Sequence, residues 1–520
     1  MSGPVVDVAI VGLGPSGAVA AALLGQAGHS VYACDRLPGV YEIPRAIALD
    51  HEIMRVFQQL GLVDAIAPHC EPFTPSEYFG ADGQLIRRMT MVAPPYPQGY
   101  TPSIVFTQPP VERALRDRLA ALPNMRVELE AQVVAVAQGP QGASLQVLDA
   151  QGRTTTVTAR YVIACDGGAS FVRTALDLPL DDLDFDEPWL VVDVLVNDKG
   201  LARLPATSVQ YCEPQRPCTL VIGPKNHRRW EISLLPGEDP REAATEARTW
   251  ELLARWITPD EGRLWRQASY RFHALVASRW RAGRIFLAGD AAHMQPPFLG
   301  QGMCQGVRDV ANLAWKLDAV LRGEATGAAA DDLLDSYGTE RQAHVRELTS
   351  RIKAIGAVIC ERDPASARAR DARLLADCGG VVKDTPRQDV LPRLEGGFLA
   401  AGDTSGRGTL FPQPRLADDG RLMDESVGRG WRLVLAAGAR APRHLPHRLA
   451  LLDLAQRPEA DGVVAQWMDR HGCVAALVRP DHYVYGTATD DAGIASLLAG
   501  WARRLQSIPA SEPSLEETTP

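Results

Sequence analysis

The chain has 520 residues, 46% of them hydrophobic and 22% charged, with a net charge of −9. That length allows about three domains, the composition is that of a globular protein, and the acidic balance argues against general phosphate-backbone binding, which needs a basic face. Nine dispersed cysteines form no CxxC pair and no metal-type Cys/His spacing, so reduced thiols are expected, without a disulfide framework or a metal site.

Residues 5–36 read strand, turn, helix, strand. "VVDVAIV" is a buried strand, "SGAVAAALLGQAG" a helix stopping at Gly28, and "SVYACD" the next strand. No basic lead or cleavage site precedes the first strand, and no apolar run approaches the roughly 18 residues of a membrane span. The expectation is a soluble cytoplasmic protein without nucleic-acid or membrane partners. Between strand and helix lies "VGLGPSG", with Gly12, Gly14, Pro15, Ser16 and Gly17. Glycines there permit a tight turn, close approach of backbone to a pyrophosphate and close helix packing, while the helix start offers free N–H groups. Asp35 ends the second strand 23 residues after Gly12, where a carboxylate accepts from ribose hydroxyls. The alternative is a glycine-rich turn with Asp35 merely capping.

A second strand-to-acid junction, "YVIACDGGASFVR", brings Asp166 and Arg173. From about 186 to 280 short β-rich pieces broken by Pro and Gly predict an antiparallel sheet. A third junction, "LAGDAAHMQPPFLGQG", carries Gly289, Asp290, His293, Pro296, Gly300, Gln301 and Gly302 before Met303 opens a helix over 303–322. An ionised carboxylate at Asp290 would make charge-assisted bonds to a polyol. A long helix is predicted around 330–361. The charged segment 361–373 reads as a linker or exposed turn, residues 385–508 as a separate small α/β domain, and 509–520 as a disordered tail.

In this order the three motifs resemble the FAD-dependent aromatic hydroxylases, the single-component p-hydroxybenzoate and phenol hydroxylase class, over residues 5–360. "ACDGGASFVR", "GQGMCQGVRDVANLAWKL" and "NHRRWEISLLPGE" look closer still to the 3-(3-hydroxyphenyl)propionate and 3-hydroxycinnamate hydroxylases. The resemblance implies a Rossmann-like α/β FAD domain (1–185, with inserted substrate-domain segments around 70–105, returning at 281–375). It also implies an interleaved antiparallel substrate sheet (186–280) and a thioredoxin-like C-terminal domain. That domain lacks CxxC and would pack on the body or on a neighbouring subunit.

By the same resemblance Asp290 holds the ribityl chain of FAD, and Pro296 with Gly300–Met303 lies along the isoalloxazine ring. Asp166 serves FAD and NAD(P)H, Arg45 lies near the pyrophosphate, Gln108 and Arg113 belong to a flavin-contacting helix, and Asp35 with Arg36 faces the adenosine. The implied reaction is NADH- or NADPH- and O2-dependent hydroxylation of a phenolic acid, ortho to its hydroxyl, through a flavin C4a-hydroperoxide. The cofactor carries the chemistry and the protein orients it in a closed, largely apolar pocket. Hydroxylation of another phenol or an aromatic polyketide, or a flavin oxidase or dehydrogenase, stays open. A disulfide reductase lacks its cysteine pair and a halogenase its WxW.

For the phenol itself, His51 is a candidate base, with helix capping as the competing role. Tyr211 and Trp230 are candidates for the pocket wall, Arg216 and Arg228 for a substrate carboxylate, and His293 reads as structural.

Overall fold

The computed structural model describes residues 5–506; the tail expected at 509–520 lies outside them. The chain is a mixed α/β protein built on four sheets. The N-terminal apolar run forms the strand Val6–Val11 at the centre of an eight-stranded sheet, buried on both faces. It pairs in parallel with Val31–Asp35 on one side and Thr154–Ala164 on the other, and Ile285–Leu287 adds in parallel beyond that. The register aligns Val11 with Cys34 and Ala164, and Ala164 with Leu287. Three junctions remote in sequence therefore end on one rim, the carboxyl edge where open α/β sheets bind ligands.

The helix Pro15–Gln26 is buried along most of its length because nearly all its residues are apolar or small, and Gly302–Leu321 is buried with its polar residues Arg308, Asp309, Asn312 and Lys316 held by buried partners. The second sheet has nine strands, in the order His293–Met294, Gly262–Ala277, Leu180–Val196, His227–Ser233, Cys218–Ile222, Ser208–Tyr211, Ser76–Phe79, Leu85–Thr90 and Lys383–Pro386. One face packs Val192, Trp230, Ile232 and Leu220 against Leu253 and Trp256. The other face turns toward the rim of the first sheet.

The segment at 361–373 is no linker: Pro364–Ala376 is a helix. Asp363 caps it by accepting from Ser366 N at 2.8 Å, and proline occupies its first turn. Its buried Arg370 donates to the carbonyls of Val358 and Cys212, and Asp371 accepts from Ala81 N at 2.7 Å. A charged stretch thus docks through buried polar bonds that apolar periodicity does not register.

The C-terminal unit has a four-stranded sheet in the order Leu449–Asp453, Trp431–Leu435, Ala475–Val478 and Val484–Ala488, flanked by Val463–His471 and Asp491–Gln506. A parallel pair followed by an antiparallel hairpin is the thioredoxin-like arrangement. All nine cysteines are free. The unit is tied to the body through buried charges, Arg55 to Asp424 at 2.5 Å and Glu340 to Arg479 at 2.6 Å, with the body's own Lys316 also on Glu340 at 2.9 Å. No helix of the described residues is long and apolar enough to cross a membrane, and no metal-type cluster occurs among them.

Candidate active site

A cavity of about 660 Å3 runs from the glycine turn, along the rim, to the inner face of the nine-stranded sheet. That volume suits a large organic ligand. The three motifs meet physically around it. Gly12 has φ +89°, and a Cβ there would lie 2.5 Å from the Cys165 carbonyl oxygen. Ser16 is wedged between Gly289 and Gly306, and a Cβ on Gly17 would overlap the Gly12 carbonyl oxygen. Arg173 donates to the Gly168 carbonyl at 2.7 Å and the Ala291 carbonyl at 2.9 Å, tying the second junction to the third.

Of the residues singled out in the sequence, Gly12, Gly14, Pro15, Ser16, Asp35 and Arg36 line one end of the cavity. Arg45, Gln108 and Asp166 follow, then Asp290, Gly300, Gly302 and Met303. The others stand behind this lining. Gly17 packs the turn against its helix; Gly289 donates its N–H to Asp309 at 3.0 Å; Pro296 is buried; Gln301 accepts from Arg308 at 2.9 Å. Several lining groups are partly committed to the protein itself. Asp35 accepts from Leu13 N at 2.7 Å and Leu37 N at 2.8 Å, and Gln108 holds the Arg45 and Ala46 amides at 2.7 and 2.5 Å. His293 is structural: its Nε2 meets Asp309 at 2.7 Å and its ring stacks on Trp280.

The arrangement fits a dinucleotide. The helix Pro15–Gln26 begins with no side-chain cap, at the bare Gly14 backbone, so its amides point toward an anion. Asp290 opens into the cavity and accepts no side-chain or backbone hydrogen bond among the described residues. Its side chain is exposed to the cavity, and the protein packed around it raises its carboxyl above the ordinary range, while His293 and Arg45 pull the other way. A hydroxyl-rich chain would supply the donors it lacks.

The sheet end of the cavity carries residues that sequence reasoning missed. Alternation along His227–Ser233 sends Trp230 and Ile232 to the core and Arg229 and Glu231 to the cavity. Ser76, Ser208, Gln210 and Thr219 share that wall with Val191 and Val221, so the pocket is polar on the sheet side and apolar at Phe73, Phe272 and Phe298. Arg229 pairs with buried Asp193 at 2.7 Å and donates to the Arg45 carbonyl at 2.8 Å; Arg266 donates to the Pro44 carbonyl at 2.8 Å. Burial works to raise Asp193, but Arg229 and His227 outweigh it and hold the carboxyl well below its ordinary value. Glu231 lacks such a bond, and burial pushes it up to about 7 against the pull of Arg229. Arg387, also missed, lies 4.3 Å over the Phe73 ring and donates to the Leu299 carbonyl. Arg116 lines the cavity beside the glycine turn, donating to the Leu13 carbonyl at 2.6 Å, whereas Arg113 pairs with exposed Glu42 at 2.6 Å.

The candidate phenol-activating residues do not reach the cavity. His51 begins the helix His51–Gln59 behind the Asp50 cap, and burial lowers it to about 4, so it is neutral at pH 7. Tyr211 and Trp230 lie on the opposite face of the sheet; Trp256 Nε1 donates to the Tyr211 hydroxyl at 3.1 Å. Arg216 is held by Glu238 at 2.7 Å, and Arg228 donates to turn carbonyls.

Comparison with known proteins agrees with this geometry. A family described as "FAD binding domain" matches residues 5–352. The probable NADH-specific resorcinol 4-hydroxylase of Rhodococcus jostii (strain RHA1) is 37% identical, covering 98% of this chain and 96% of its own. A 3-(3-hydroxy-phenyl)propionate/3-hydroxycinnamic acid hydroxylase of Burkholderia cenocepacia (strain HI2424) is 33% identical over 95% of this chain and 96% of its own. Among solved structures, the flavin-dependent monooxygenase PieE with FAD and substrate shares the fold at a TM-score of 0.80 and 22% identity, covering 97% of this chain and 100% of that one. The chain belongs to the FAD-dependent aromatic hydroxylases, monooxygenases that work with FAD and a nicotinamide co-substrate.

Proposed function

We propose that the protein hydroxylates a phenol, with NADH or NADPH as reductant and O2 as oxygen source, at the ring carbon ortho to the hydroxyl. The observation that carries this reading is the continuity of one cavity from the glycine turn and strand-end acids to a polar wall on the substrate sheet. The relatives' names share one chemical feature, a phenol with a meta substituent, either a second hydroxyl or a propionate or acrylate chain. The substrate proposed here is of that class, with resorcinol and 3-(3-hydroxyphenyl)propionate as the first to test.

FAD, when bound and reduced, supplies the activation of O2 and an electrophilic oxygen. The chain supplies everything else. In this reading the Gly12–Gly17 turn and Arg45 hold the pyrophosphate, Asp35 and Arg36 the adenosine, and Asp290 the ribityl chain. Asp166 borders both cofactors. Gly300, Gly302 and Met303, with Pro296 and Gln301 behind them, shape the ring's seat. Phe272 and Phe298 close one side, backed by buried Trp189, whose ring centroid lies 5.6 Å from that of Phe298. They exclude water that would divert reduced cofactor into hydrogen peroxide. Neither His51 nor Tyr211 is retained as the group acting on the phenol.

The test is NADH and NADPH oxidation by FAD-loaded protein, with and without each candidate phenol, and product mass. A hydroxylase accelerates with the phenol and yields a product heavier by one oxygen. Reductant consumption that ignores every phenol, with peroxide formed in equal amount, contradicts the proposal and favours an oxidase.

A further inference from the structure

Resting on that reading, we infer that Glu231 is the specificity-determining residue that recognises the substrate's hydroxyl, accepting a hydrogen bond from it on the sheet wall of the cavity. Four observations lead there. Glu231 lines the cavity, yet only 6% of its surface is exposed. Among the described residues it is the one buried acid of that lining whose side chain makes no hydrogen bond; Glu112, the other, accepts from Gln108 at 2.5 Å. The nearby cations are committed elsewhere. Arg229 spends its N–H groups on Asp193 and on the carbonyls of Pro44 and Arg45, and Arg266 on Pro44, Asp193 and the Tyr270 hydroxyl. Finally, its cross-strand neighbours are Val191 and Thr219, both lining the cavity, and Thr219 already donates to Gln210 at 2.6 Å.

A merely structural role explains this poorly. Asp193 alone receives Arg229, Arg266 and His227, so the cluster is satisfied without a second acid. When a ligand fills the cavity and displaces its water, an acceptor left without a donor is unfavourable by about 1–3 kcal/mol, and a ligand that itself donates to Glu231 avoids that loss. A neutral phenol does so; a carboxylate or phosphate placed there is repelled. The wall therefore selects a free hydroxyl and is indifferent to the meta substituent.

The groups facing Glu231 set the pH dependence. Arg229 on its own strand and Arg266 on Gly262–Ala277 favour the carboxylate, and Asp193 on Leu180–Val196 opposes it. Tyr270 and His227 stand one step further out, bonded to Arg266 and Asp193. With burial dominant, Glu231 is held up to about 7. A donor hydroxyl prefers the ionised form, so phenol binding tightens as pH rises through that value.

The experiment titrates resorcinol and its di-O-methyl ether, 1,3-dimethoxybenzene, into FAD-loaded wild type, Glu231→Gln and Glu231→Asp, following the flavin visible spectrum on either side of pH 7. The ether, with no hydroxyl to donate, is expected to bind more weakly and without a pH step, and an ether that binds like resorcinol overturns the inference. Wild type is expected to bind resorcinol more tightly at the higher pH. In Glu231→Gln the pH step vanishes and binding weakens about 10- to 100-fold; Glu231→Asp keeps the step. Glu231→Gln with wild-type affinity and an unchanged step overturns the inference. So does a wild type without the step, which decides the matter even if the variants lose FAD. A wild type whose spectrum and NADH oxidation ignore every phenol tested sinks the hydroxylase reading itself, a result recognisably different from the others.

Discussion

Gly14→Ala separates what the fold needs from what the cofactor needs. Gly14 is the N-cap of Pro15–Gln26 with φ −62°, a conformation open to alanine, and a Cβ there meets nothing within 4 Å. Exchanging Gly for Ala at an N-cap is unfavourable by up to about 1 kcal/mol, and the restricted unfolded chain returns about 0.4–1 kcal/mol. The apoprotein should therefore melt within experimental error of wild type. Gly14 nevertheless lines the cavity, so the new methyl adds bulk beside the uncapped amides expected to meet the pyrophosphate. Displacing one charge-assisted hydrogen bond removes about 1.5–3 kcal/mol, a 10- to 150-fold loss of FAD affinity. Gly17→Ala is the control: its Cβ overlaps the Gly12 carbonyl oxygen, so the fold itself suffers, cofactor or not. Thermal melts with and without FAD, and flavin absorbance after desalting, read both effects. Gly14→Ala that binds FAD like wild type would refute the placement of the pyrophosphate on this turn.

Asp290→Ala should give largely colourless protein with native melting in the absence of FAD; a full flavin complement contradicts the ribityl assignment. Glu340 is pushed up by burial, but Arg479 and Lys316 prevail and hold it down to about 2. Its folded value is depressed, so its stabilisation is full above the ordinary carboxyl value of 4.5 and is lost as pH falls toward about 2. Glu340→Gln should lower stability at neutral pH by about 3–5 kcal/mol and flatten that acid limb in pH-dependent denaturation; an unchanged limb refutes the pairing. Tyr211→Phe should leave kcat/KM within about twofold, because the hydroxyl faces the helix side of the sheet; a tenfold loss would return Tyr211 to the pocket.

The end of the cavity proposed to hold FAD was legible in the sequence because its signals are local. A glycine turn between strand and helix, and strands that end in Asp35, Asp166 and Asp290, are each readable within about a dozen residues, and parallel pairing then gathers them on one rim. The substrate wall was harder. Tyr211 and Trp230 were plausible by residue type, but alternation puts them opposite Gln210, Arg229 and Glu231, and which face meets the cavity is decided by tertiary packing. Period-two reading of "RRWEIS", with Trp and Ile assigned to the core, was the available signal for Arg229 and Glu231. Arg387 had none: it reaches the cavity from a segment more than eighty residues beyond the last flavin motif. The helix at Pro364–Ala376 and the Arg55–Asp424 and Glu340–Arg479 pairs likewise rest on partners far apart in the chain, which no local pattern announces.

The most direct test of the central claim follows the oxygen. FAD-loaded protein, NADH and resorcinol are incubated under isotopically labelled dioxygen in ordinary water, and the product is identified by mass and by the position of its new hydroxyl. The account predicts a trihydroxybenzene carrying one labelled oxygen beside an original hydroxyl, with reductant consumed in proportion. Unlabelled product, or hydrogen peroxide formed in place of any hydroxylated arene, would contradict it.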